Sequence, residues 1–172
     1  MPDDLSERIQ ASQSKLEELA SRIPGYDGYK RKEQRREADK LLRLHVARRY
    51  EEQLKRLNDV QSMLAEQGRL ASIVPLERAV MRLQLLIDRI KTASYGYAGL
   101  FDAIKVDEEA LERLYDFDEA MLEGVDKVAA LLDELTQATE TEATTSVEAD
   151  DLFVALRELN DTFSRRHDVI IS

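Results

Sequence analysis

Apolar positions recur at helical spacing along most of this chain. The first run covers residues 4–22, where Leu5, Ile9, Leu16, Leu19 and Ile23 are set three, four or seven residues apart. Asp4 with Glu7 resembles a capping box at its start, and Pro24-Gly25-Tyr26-Asp27-Gly28 breaks it. A second run covers residues 29–67, with Leu42, Val46, Tyr50, Leu54, Leu57, Val60 and Leu64 as its apolar stripe and Gly68 at the C-cap. A helix of that length would extend roughly 55–60 Å.

The third predicted helix starts at Pro75, a residue suited to a first turn. Its seam of Leu76, Val80, Leu83, Ile87, Ile90, Ser94, Tyr97, Phe101 and Ile104 alternates steps of four and three, as heptads do. Because the seam runs past Gly96 and Gly99, the helix is expected to continue through them. Glycine also marks breaks, so a kink or loop at residues 95–99 is the rival reading. Lys105-Val106 then forms a turn, and Asp107 caps a fourth helix ending near Leu135. Leu111, Leu114, Asp118, Met121, Val125, Val128, Leu132 and Leu135 form its seam. The short turn makes the third and fourth helices an antiparallel hairpin.

Residues 136–144 lose the periodicity and read as a polar, Thr-rich linker. Thr145 with Glu148 is a capping box, which starts a fifth helix at Ser146 with Ala149, Leu152, Leu156, Leu159 and Phe163 on its apolar face. The expected fold class is therefore all-α. It is an elongated antiparallel helical bundle of about five helices, built on a long coiled-coil-like hairpin. Residues 1–136 make the main bundle, 137–144 the acidic, Thr-rich linker, and 145–172 a C-terminal helix that packs on the bundle or on a partner.

Composition agrees with this reading. Of 172 residues only six are glycine and three proline, and 35 % are charged, which suits long amphipathic helices. The absence of cysteine excludes disulfides and thiolate metal sites. The acidic N-terminus has no apolar stretch of a secretory signal, and no run approaches the roughly 18 apolar residues of a membrane span. Those features point to a cytoplasmic protein.

A net charge of −10 disfavours nucleic acid, but the charge is unevenly spread. Residues 30–56 hold eleven Lys/Arg against five Asp/Glu, and residues 107–135 hold two against eleven. The simplest use of these stretches is to face one another within the bundle. An acidic protein partner is the next reading. Binding of RNA or an anionic membrane is weaker, because residues 30–37 carry neither bulky apolar groups nor interleaved aromatics.

Two constellations stand out. Asp118 occupies an apolar seam, where an unpaired carboxylate is costly. Counting along the helices sets Ser94, Lys40, Arg43 and His45 at a similar depth, so a polar layer of these five residues is expected, fixing helix register. At the other feature, Tyr26, Tyr29, Tyr95 and Tyr97 gather at one pole. With Lys30, Arg31, Arg35 and Arg36 they form a candidate interaction surface, although sealing the end of the bundle is the simpler role.

Neither His45 nor His167 completes the Glu-x-x-His motif of di-metal bundles, and no phosphate-binding, dinucleotide or nucleophile-elbow motif is present. No cofactor and no catalytic residue is expected. The function expected from these features is that of a non-enzymatic interaction or scaffold protein, self-associating as a homo-oligomer or binding a protein partner. A ligand- or metal-binding bundle with a buried polar layer is the first alternative. A peripheral membrane or nucleic-acid protein using residues 30–49 is the second.

Overall fold

A computed structural model describes residues 32–93 and 108–166, with side chains from 40 to 93 and from 116 to 166. The first predicted helix, the continuation through Gly96 and Gly99, the turn at 105–106 and the C-terminal tail all lie outside the described residues. Within them the chain is all-α, with four helices and no strand. These are α1 (Lys32–Glu66), α2 (Leu70–Thr92), α3 (Glu108–Glu140) and α4 (Ser146–Ser164).

The periodicity located the core. Leu42, Val46, Tyr50, Leu57, Val60 and Leu64 of α1 are buried, and Leu54 is half-buried. On α3, Met121, Val125, Val128, Leu132 and Leu135 are buried, as are Ala149, Leu152, Leu156 and Phe163 on α4. Ala47, Ala79 and Ala155 are buried as well.

α1 ends as its glycine predicts. Gly68 has a φ of 70°; its N–H bonds to the Ala65 carbonyl at 3.0 Å, and the Arg69 N–H bonds to Leu64 at 2.9 Å, the paired bonds of a Schellman cap. The next helix departs from the expected start at Pro75. It begins at Leu70, with Pro75 inside it. The Schellman turn already redirects the chain at Gly68, and the Ser72 N–H bonds back to Arg69 at 3.0 Å. Proline lacks an N–H, so only the Ala71 carbonyl forgoes an intrahelical partner. Leu70 and Val74 are 65 % and 62 % exposed, so a seam drawn through buried positions could not include this turn.

α3 likewise runs beyond its expected end at Leu135, to Glu140. The hydroxyls of Thr136 and Thr139 donate to the carbonyls of Leu132 and Leu135 at 2.6 and 2.8 Å. Such back-bonding lets threonine remain in a helix. Ala138 and Thr139 are buried there. The helix closes on a second Schellman pair, Glu142 N–H to Thr139 at 3.1 Å and Ala143 N–H to Ala138 at 2.8 Å. Here the left-handed residue is Glu142, with a φ of 54°. The connection to α4 is therefore residues 141–145, shorter than the linker read from composition. Helix α4 begins at Ser146 as expected, with the Thr145 carbonyl accepting the Ala149 N–H at 3.0 Å.

The chain divides into two compact units. One comprises Met1–His45, Ala93–Ala120 and Arg165–Ser172, and the other Val46–Thr92 and Met121–Ser164. The second unit consists of two helical hairpins lying side by side. α1 and α3 run parallel, since Tyr50 bonds to the Met121 carbonyl near one end and Gln67 to the Thr139 carbonyl near the other. α2 and α4 also run parallel, joined by Arg78 over Phe153 and by Arg89 with Asn160 and Ser164. Lys91 pairs with Glu51 across α1 and α2, and Lys127 with Glu158 across α3 and α4. The helices thus follow each other around the unit in the order α1, α2, α4, α3.

Candidate functional site

In the first unit, Asp118 and Arg43 are buried, at 5 % and 8 % exposure, as are their chain neighbours Phe117 and Leu42. His45 is half-buried and Lys40 is exposed, while Ser94 lies outside the described residues. A third charged group joins the buried set. Arg166 is 5 % exposed, with its guanidinium 5.8 Å from the centre of the Phe117 ring. Arg165-Arg166 follows directly on the last predicted apolar residues of α4, and helical spacing from Phe163 was the signal that could have put Arg166 on the inner face.

The tyrosine pole and the side chains of Lys30, Arg31, Arg35 and Arg36 lie outside the described side chains; Arg35 and Arg36 fall within the helical backbone of α1. Farther along the basic stretch, Arg56 pairs with Asp133 and donates to the Ala129 carbonyl at 3.4 Å. One member of the basic stretch thus meets one member of the acidic stretch within the chain. The pair is partly exposed and worth little by itself.

Three polar anchors hold the second unit together; periodicity set Tyr50 on the apolar stripe of α1 without revealing its hydrogen bond, and passed over Asn160 and Gln67. Asn160 is 3 % exposed. Its Nδ2 donates to the Arg82 and Leu156 carbonyls at 3.0 and 2.9 Å, and its Oδ1 accepts from Arg89 at 3.2 Å. Arg89 also donates to the Asn160 carbonyl at 2.9 Å and to the Ser164 hydroxyl at 2.7 Å. The position of Asn160, four after Leu156 and three before Phe163, places it on the inner face.

Tyr50 is the second anchor. It is fully buried and donates to the Met121 carbonyl at 2.8 Å. Burial, with a smaller contribution from the Asp126 charge, pushes its hydroxyl pKa well above the usual tyrosine value. Gly124 makes room for that hydroxyl: a Cβ there would lie 2.5 Å from Tyr50 Oη and 2.5 Å from Leu159 Cδ2. The third anchor ties the two reversals together. Gln67 Nε2 donates to the Thr139 carbonyl at 3.0 Å, and Arg69 donates to the Ala143 carbonyl.

On the outside, Leu70, Val74, Met81 and Leu85 of α2 are exposed by 65 %, 62 %, 72 % and 43 %. Their spacing of four, seven and four puts them on one helix face, away from buried Leu76, Ala79, Leu83 and Ile90. Among the described residues no group of three or more His, Asp or Glu is placed to hold a metal ion, and no helix is long and apolar enough to cross a membrane. Comparison with protein-family models, with curated proteins and with solved structures finds no match to this chain.

Proposed function

We propose that this chain is a non-enzymatic helical scaffold that works by offering an outer helix face to another protein, a second copy of itself included. The observation that carries this reading is the row formed by Leu70, Val74, Met81 and Leu85. Large apolar side chains collected on the outer face of a helix favour contact with another macromolecular surface, because burying them together removes apolar area from water. A small ligand is held by a concave site instead.

The polar groups of the second unit support the same reading. Asn160, Tyr50 and Gln67 are engaged in joining helices to one another, which is work for a frame. The buried charges Arg43 and Asp118 suit a register-setting layer of such a frame.

Those same charges are also what a ligand- or metal-binding bundle would use, and this is the second reading. Elemental analysis of the purified protein together with a thermal-shift screen of metal ions and small metabolites separates the two. The scaffold reading expects no stoichiometric metal and no large ligand-induced shift. A bound ion, or a rise in melting temperature of several degrees with one compound class, would replace it with the second reading.

A further inference from the structure

The outer face of α2 carries more pattern than its apolar row. Projected at 3.6 residues per turn, Leu70, Val74, Met81 and Leu85 fall within an arc of roughly 60°. Four of the eight exposed large hydrophobic residues of the described chain lie in that arc. One border of the row holds Glu77, Gln84 and Asp88, with Lys91, paired to Glu51 of α1, farther round; the other holds Arg78, with Arg82 and Arg89, which engage α4, farther round. Among the described residues, Glu77 and Arg78 make no ion pair; the Arg78 guanidinium lies over the Phe153 ring, 4.3 Å from its centre. An apolar stripe with one acidic and one basic margin is complementary to itself.

From this we infer that α2 is a homodimer interface, in which two copies pack their α2 helices parallel and in register about a two-fold axis along the helices. This inference rests on the scaffold reading and names its partner. Orientation follows from symmetry. If two identical helices pack antiparallel about a two-fold axis, each margin meets its own copy, so Glu77 approaches Glu77 and Arg78 approaches Arg78. If they pack parallel, each margin meets the opposite one, and Glu77 faces Arg78 of the second copy at the same level, twice per dimer. Charges flanking an apolar seam select helix orientation in this way.

A rival self-pairing through α4 is less favourable. Val147 and Val154 form a shorter exposed pair there, 65 % and 39 % exposed. Asp150 and Asp151 lie between them without a cation of their own turn, so an α4 pair would set carboxylates against carboxylates.

Sedimentation equilibrium of the full chain tests the proposal. The wild type is expected to be a dimer, and Val74→Glu with Met81→Glu is expected to weaken association about 100-fold or more, since two charges would enter the seam of each copy. Glu77→Arg alone and Arg78→Glu alone should each weaken it about 10-fold, and the two together should restore it. All four positions are exposed, so helicity by circular dichroism should be unchanged, and the contact with Phe153 that Arg78→Glu gives up is read separately, as a lower thermal midpoint.

Because the chain has no cysteine, Leu70→Cys and Leu85→Cys report the orientation directly. In the parallel arrangement each variant cross-links with itself, whereas a mixture forms no 70-to-85 link, those positions being about 22 Å apart along the helix. A monomeric wild type up to ~0.5 mM, well above typical working Kd values, overturns the proposal and leaves a scaffold for a different protein standing. A dimer indifferent to these substitutions moves self-association to another surface. A 70-to-85 cross-link in the mixture overturns the parallel arrangement.

Discussion

Gly124 and Tyr50 show how one missing side chain can set the distance between helices. The phenol fills the space that a Cβ at position 124 would occupy, and its hydrogen bond to Met121 keeps it there. Gly124→Ala should therefore destabilise the protein by about 1–3 kcal/mol, the usual cost of overpacking, read as a lower urea midpoint. Tyr50→Phe alone should cost about 1 kcal/mol for the lost bond. Together the two should cost less than their sum, because removing the hydroxyl relieves one of the two clashes. An additive double mutant would mean that Leu159, not Tyr50, sets the spacing.

Tyr50 also gives the stability a pH dependence at the alkaline end. Its pKa is raised in the folded protein relative to an ordinary value of 10.0 in the unfolded chain. Its contribution is therefore complete below about pH 10 and is lost as the pH rises further, since the unfolded chain then releases a proton that the folded chain retains. Unfolding free energy measured between pH 9 and 11 should fall less steeply in Tyr50→Phe than in the wild type. Identical slopes would show that the hydroxyl ionises as easily folded as unfolded.

The ends of α1 and α3 show how far helix boundaries depend on local chemistry. Gly68 identified one end in advance, because only glycine enters the left-handed region without cost. The matching turn after α3 uses Glu142, with a φ of 54°; glutamate gives no such signal, and the run of threonines disguised the last turn of α3. Replacing Glu142 with glycine removes the strain of that conformation, and the expected gain is about 0.5–1 kcal/mol after glycine's larger unfolded-state entropy is subtracted. A lower thermal midpoint for Glu142→Gly would contradict this account. Pro75 misled for a related reason. It is a good first-turn residue, but proline inside the second turn forgoes one bond only, so its presence did not date the start of α2.

Across the molecule, the buried charges pose the question of specificity against stability. Arg43, Asp118 and Arg166 are almost wholly withdrawn from water in the first unit. If Asp118 sets helix register, Asp118→Leu should broaden or multiply the amide NMR signals, or mix oligomeric states, even where the melting temperature rises. One set of sharp signals with greater stability would remove the register role.

The apolar periodicity by itself determined that the described chain is helical and which face of each helix is inward, because amphipathic helices reveal their buried side at 3.6-residue spacing whatever they pack against. It also singled out Asp118, since a carboxylate in an apolar seam is visible without a structure. Tertiary structure decided which helices are neighbours: α1 beside α3 and α2 beside α4, each pair parallel. That choice depends on Tyr50 fitting against Gly124, on Asn160 meeting Arg89 and on Gln67 reaching Thr139, contacts between residues more than 70 positions apart. No local spacing encodes such matches. The exposed row on α2 became legible for the same reason, since an apolar residue is known to face water only once the partners of its helix are in place.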